Sequence, residues 1–168
     1  MEVNMHLKKT ILITAAALCL CACSHSSEAK PCDIGEKYSC DVTVTQNGKQ
    51  FSAVMTRGAA DIWELEFSKP DTVKGLKINL DGPSLSAQFS GLTYRTDRSE
   101  LSQYSLVSLG CGAVEKLISK DGITCKKEDG RLIEQGTVSG QDFTAEFEDE
   151  KLKELTFSDQ LRFEFTQR

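Results

Sequence analysis

From Tyr38 onward the apolar residues recur with a period of two, and this alternation limits the possible folds more than any other feature of the chain. Cys40, Val42 and Val44 alternate with Asp41, Thr43 and Thr45, and Phe51, Ala53 and Met55 alternate with Gln50, Ser52 and Val54. Successive side chains of a strand point to opposite faces, so the pattern describes sheet with one face buried. Between the two runs stands Asn47-Gly48, the strongest short hairpin signal. With those residues as the loop, Val44 faces Phe51, Val42 faces Ala53 and Cys40 faces Met55, apolar on apolar.

The alternation continues. Trp63, Leu65 and Phe67 share one face while Glu64 and Glu66 take the other, outward and solvated. After a break over residues 70–75, Leu76, Ile78 and Leu80 turn at Asp81-Gly82-Pro83 and return as Leu85, Ala87 and Phe89. A loop of two or four residues keeps these on one face, so the register stays open. The strand pattern fades around Gly91-Leu92-Thr93-Tyr94. From about residue 104 to 119 the period changes: Leu106, Leu109, Ala113 and Leu117 recur at three- and four-residue spacing, which predicts an amphipathic helix weakened by Gly110 and Gly112 and stopped at Lys120-Asp121-Gly122. Strands resume over residues 132–139 and 143–147. Leu152, Leu155 and Phe157 break parity and require a bulge, and Leu161, Phe163 and Phe165 close the chain. The expectation is an α+β domain of about eight antiparallel strands, with one helix inserted after the fifth or sixth.

The N-terminus reads differently. Met5-His6-Leu7-Lys8-Lys9 is a short basic head, and residues 11–22 are apolar or small apart from Thr14. A membrane-spanning helix needs about 20 such residues; a basic head with an apolar core of roughly 7–15 describes a secretory signal. Leu20-Cys21-Ala22-Cys23 resembles the lipobox of bacterial lipoproteins, with Cys23 as the lipidated residue, so residues 1–22 are expected to be a signal peptide. The polar stretch 23–36, broken by Pro31 and Gly35, is expected to tether residues 37–168 to the lipid. The expected location is the extracytoplasmic side of the cell membrane.

Cys32, Cys40, Cys111 and Cys125 permit three disulfide pairings in an exported chain, of which Cys32–Cys40 and Cys111–Cys125 are local; buried thiols are the alternative. The chain is acidic, with a net charge of −5, and has no basic stripe, so nucleic acid is not an expected partner. His6 falls in the signal and His25 in the tether. The domain therefore lacks the histidine that serine–histidine and cysteine–histidine nucleophile pairs need. Gly110-Cys111-Gly112 opens like half a dinucleotide fingerprint, but Glu115 stands at the third glycine position, and close helix packing explains the glycines as well. Glu146, Glu148, Asp149 and Glu150 lack the spacing of a calcium loop and read as a charged hairpin tip. No enzyme, cofactor or metal is expected.

The segment Trp63-Glu64-Leu65-Glu66-Phe67-Ser68-Lys69-Pro70, its continuation to Gly75-Leu76, the later Gly91-Leu92-Thr93-Tyr94 and the helix together resemble small clostridial-type lipoproteins with a LolA-like fold. That resemblance covers roughly residues 38–168. It implies an incomplete, curved antiparallel barrel whose concave apolar face is covered by the helix, with an acyl chain, other lipid or lipoprotein held between sheet and helix. The candidate cavity residues, all on one face, are Val42, Val44, Phe51, Met55, Trp63, Leu65, Phe67, Ile78, Leu80, Leu85 and Phe89; the plainer role for each is core. The competing expectation is an envelope structural or protein-interaction module with a filled core. An anchor at Cys23 fits a receiver or sensor better than a shuttling carrier.

Overall fold

A computed structural model describes residues 29–158 and 160–167. The expected signal segment and Cys23 lie outside the described residues. Eleven strands form one antiparallel sheet: β1 (Tyr38–Gln46), β2 (Lys49–Ala59), β3 (Ile62–Lys69), β4 (Lys77–Asp81), β5 (Ser84–Phe89), β6 (Leu92–Asp97), β7 (Thr124–Glu128), β8 (Arg131–Val138), β9 (Gln141–Glu148), β10 (Lys151–Ser158) and β11 (Leu161–Gln167). One α-helix, α1 (Leu106–Ser119), lies between β6 and β7. Among the described residues no helix is long and apolar enough to cross a membrane.

The strand order is β6-β5-β4-β3-β2-β1-β11-β10-β9-β8-β7, with a single linear run and two edges. Six strands meander outward from β1, five meander back inward to β11, and β1 and β11 pair at the middle, Val42 opposite Phe165 and Val44 opposite Phe163. The chain leaves the sheet at one edge, β6, and rejoins it at the other, β7. The helix is that crossing.

The alternation is realised residue by residue. β1 and β2 pair Val44 with Phe51, Val42 with Ala53 and Cys40 with Met55 around Asn47-Gly48, whose φ angles of 50° and 76° are the left-handed values such a two-residue loop requires. The open register of β4 and β5 resolves to a two-residue loop, Gly82-Pro83, with Leu80 opposite Leu85 and Ile78 opposite Ala87. The parity break in β10 is a pair of register shifts, between Leu152 and Glu154 against β9 and between Thr156 and Ser158 against β11. The helix begins two residues later than expected because the Ser105 hydroxyl caps it, accepting from the Ser108 amide at 3.1 Å.

Two expectations are corrected. The sheet has eleven strands rather than about eight, and the edges β6 and β7 are the least patterned of them. An edge strand is held by one neighbour and buries little, so it needs no regular apolar alternation; Thr124-Cys125-Lys126-Lys127-Glu128 has almost none. The segment 23–36 is not a free tether throughout either. Cys32 is buried, Ile34 packs on the core, and the Glu36 carbonyl accepts from Arg57 Nη1. Two apolar residues among polar ones carry no period, which is why the sequence hides this docking.

How strongly the sheet curves follows from what the helix touches. β3 and β8 are six strand spacings apart, about 29 Å on a flat sheet. Yet Trp63 of β3 donates to Glu115 on α1 at 2.8 Å, and Val138 of β8 lies where a Cβ on Gly112 would come within 2.8 Å of it. A helix is about 10–12 Å across. One helix therefore touches both strands only because the sheet wraps around it, with the apolar face inside. A row of rings lines that concave face, Phe143 to Phe157 to Phe163 to Phe165 at centroid separations of 5.9, 6.1 and 6.4 Å, and Tyr38 meets Phe165 edge-on.

Candidate functional site

The concave face is where the sequence places ligand-lining residues. Val42, Val44, Met55, Trp63, Leu65, Phe67, Leu80 and Leu85 are all buried there, Phe51 and Ile78 are half-buried, and Phe89 is exposed. Helix side chains sit directly on this surface. Leu109, Cys111, Ala113, Val114 and Leu117 are at most 1% exposed, and a Cβ on Gly110 would lie 2.7 Å from the Phe163 ring. Real Cβ atoms do not come that close, so the two helix glycines set the separation between helix and sheet. None of the candidate cavity residues and no residue of α1 lines any of the five surface clefts described, although Phe143 and Phe157 of the ring row line one of them.

Arg57 and Glu115 fix the position of the helix. Arg57 continues the inward row of β2 after Ala53 and Met55 and is only 6% exposed. Its Nε and Nη2 each donate to Glu115 at 2.9 Å, one to each carboxylate oxygen. Glu115 Oε1 also accepts from Trp63 Nε1 at 2.8 Å and from the Asp61 amide at 3.1 Å. Partial burial pushes the Glu115 carboxyl up, but the hydrogen bonds from Arg57, the Asp61 amide and Trp63, together with the Arg57 charge, outweigh it and hold the group below the usual carboxylate range. A carboxylate held ionised by so many donors is a poor proton-transfer group. It ties α1, β2, β3 and the segment before β1 into one unit. This network was missed in the sequence, although its signal is there: one arginine at an apolar parity position, and one glutamate four residues after Cys111 on the helix's buried side.

A second buried carboxyl, Glu134, was also missed. It occupies the inward row of β8, where parity calls for an apolar residue, opposite Cys125 on β7 and Ala145 on β9. The side chain is fully buried; Oε1 accepts from the Cys32 amide, while Oε2 has no partner among the described residues. The Cys32 thiol in turn donates to the Glu150 carbonyl at 3.2 Å. Burial raises the Glu134 pKa, against the Cys32 hydrogen bond and the more distant Lys120 charge, which lower it. Beside it is a cleft of about 500 Å³ lined by Lys30, Cys32, Lys120, Lys127, Leu132 and Phe147 among others. The hydrogen bond from the Cys32 amide to Glu134 holds the N-terminal segment against β8.

A carboxyl whose folded pKa is raised contributes stability that is present below about pH 4, the unfolded value, and lost as pH rises through the folded value. Glu134→Gln removes that titration. The expected result is that denaturant midpoints of the parent fall between pH 5 and pH 8 more steeply than those of the variant; identical slopes would mean that Glu134 titrates as in the unfolded chain.

Cys32, Cys111 and Cys125 are free thiols in the structure. Cys111 is fully buried on the sheet-facing side of the helix, and burial pushes its thiol far above the usual range, which makes it inert. Glu64 is exposed and Glu66 pairs with Lys77 at 2.9 Å, both on the outer face. In the acidic hairpin tip, Glu146 pairs with Arg131 at 3.1 Å and Glu148 with Lys153 at 3.9 Å.

The helix does not reach the whole concave face. On the β4–β5–β6 wing, Leu80 and Leu85 are buried, but exposure rises outward: Phe89 is 40%, Tyr94 62% and Leu92 76% exposed. The pairs Ala87–Tyr94 and Phe89–Leu92 place these side chains together on the concave side of the sheet. No family model and no curated protein matches this chain.

Proposed function

We propose that this chain is a lipoprotein of the cell envelope, anchored through lipid on Cys23 on the extracytoplasmic side, whose LolA-like domain works by binding a partner at its surface and not by catalysis. The carrying observation is the packing of α1: glycines in contact with Phe163 and Val138, and Glu115 clamped by Arg57 and Trp63, leave the helix as core and not as a movable cover. A second reading keeps a hydrophobic ligand, an acyl chain or lipoprotein, on the concave face. It is favoured by the exposed Phe89, Leu92 and Tyr94 beyond the end of the helix.

Titration with a fluorescent fatty acid separates the two. The first reading expects no saturable uptake by the protein. Saturable uptake that is lost in Phe89→Glu would instead favour the second. Anchoring is checked in the same preparation: Cys23→Ala is expected to release the protein to the medium or leave it as uncleaved precursor, since each buried acyl CH₂ contributes about 0.8 kcal/mol. Normal maturation with unchanged membrane retention would contradict the anchor.

A further inference from the structure

The two edges of the sheet differ in how they are protected. On β7, Lys126 and Lys127 stand side by side, and lysine on an edge strand discourages pairing with another sheet. β6, Leu92-Thr93-Tyr94-Arg95-Thr96-Asp97, carries no lysine or proline. Its main chain has a defined free side. The Arg98 amide donates to the Pro83 carbonyl at 2.6 Å, and hydrogen-bonded positions alternate along an antiparallel pair. Thr96, Tyr94 and Leu92 are therefore the residues bonded to β5, through the pairs Leu85–Thr96, Ala87–Tyr94 and Phe89–Leu92. The N–H and C=O groups of Thr93, Arg95 and Asp97 point away from β5, toward an edge that no described strand occupies.

We propose that β6 is a self-association edge, at which two copies of this chain pair β6 with β6 antiparallel about Tyr94. This deepens the surface-binding reading and rests on it. A two-fold that keeps both concave faces on one side pairs residues of the same parity. Centring on Arg95 would set two like charges opposite each other, which is destabilising. Centring on Tyr94 sets Arg95 opposite Thr93 of the second copy, so no like charges face each other. It also pairs five consecutive residues, 92 to 96, where a centre on Thr93 or Thr96 would pair three. The outward groups of Thr93 and Arg95 then bond to those of Arg95 and Thr93 in the second copy. On the concave side, Tyr94 meets Tyr94 and the two exposed strips of Phe89, Leu92 and Tyr94 become continuous. A strand this short buries less than the ~800 Å² per partner of a standard stable interface, so the dimer is weak in dilute solution. Confinement of anchored copies to one membrane raises their effective concentration.

The test is oxidative cross-linking of the full-length protein in its membrane with copper phenanthroline. Tyr94→Cys places one thiol per copy at the two-fold, in a non-hydrogen-bonded pair whose side chains are close. It is expected to give a disulfide dimer of twice the chain mass, above the level formed by the parent's own thiols. Lys126→Cys, on the other edge, is expected to stay at the parent level. Adding Thr93→Pro to Tyr94→Cys removes one outward N–H without touching the β5 pairing, and is expected to cut the dimer by ~10-fold at an unchanged circular dichroism spectrum. Equal cross-linking of Tyr94→Cys and Lys126→Cys would overturn the proposal. So would cross-linking of Tyr94→Cys to a different polypeptide, which would leave the surface-binding reading standing and only the second copy refuted.

Discussion

Replacing Glu115 by alanine is expected to destabilise the protein by about 3–5 kcal/mol, because it strands a buried guanidinium without its counter-charge. Arg57 is 6% exposed and directs two donors to that carboxylate; the same change leaves Trp63 Nε1 and the Asp61 amide without their acceptor. Two companion variants make the result specific. Glu115→Gln keeps one oxygen and should lose less. Arg57→Met in the Glu115→Ala background removes the stranded charge and should restore part of the loss, since an apolar replacement of both partners of a buried pair is often close to neutral. Urea unfolding of the parent, these three variants and Arg57→Met alone decides it. Additive losses in the double variant would mean that the two side chains act independently. The pH dependence has the opposite sign from that of Glu134: a depressed carboxyl contributes stability that is present above the unfolded value near pH 4 and lost as pH falls through its folded value.

The second large effect is expected at Gly110. A Cβ there would meet the Phe163 ring at 2.7 Å, and valine adds two further carbons in the same direction. Phe163 has little room to yield, being 2% exposed and ringed by Phe157 and Phe165. Gly110→Val should cost about 1–3 kcal/mol by overpacking, although valine is the better helix former. Trimming the obstruction with Phe163→Leu should recover part of that cost in the double variant, while costing stability alone. A Gly110→Val protein as stable as its parent would mean that helix and sheet stand further apart than described.

Strands whose two faces see different surroundings announced themselves, as β1, β2 and β3 did through Val42, Met55, Trp63 and their neighbours. The hairpin at Asn47-Gly48 was legible down to the register because its backbone angles admit few residues. The edges β6 and β7 were not, since neither buries a full face. The docking of Cys32 depends on contacts to Glu134 and Glu150, more than a hundred residues away, and nothing local encodes it. Of the charged residues that organise the interior, Arg57 and Glu134 occupy strand positions whose periodicity calls for an apolar side chain, and Glu115 flanks the apolar stripe of the helix. A charge in an apolar row is readable as a buried partner-seeking group, but its partner is not: Arg57 and Glu115 meet only because the helix crosses from one sheet edge to the other.

Whether the helix is a fixed part of the core or a cover that opens is best decided by native-state hydrogen exchange. Amides of Leu109 to Ser119 on α1 are to be compared with those of β1 and β11 at the middle of the sheet, across increasing low denaturant. A helix clamped at Glu115 and seated on Phe163 and Val138 predicts one shared opening free energy for both sets, equal to that of global unfolding. Exchange of the helix amides through a lower-energy opening, with the sheet still protected, would contradict it and would make α1 a door to the concave face.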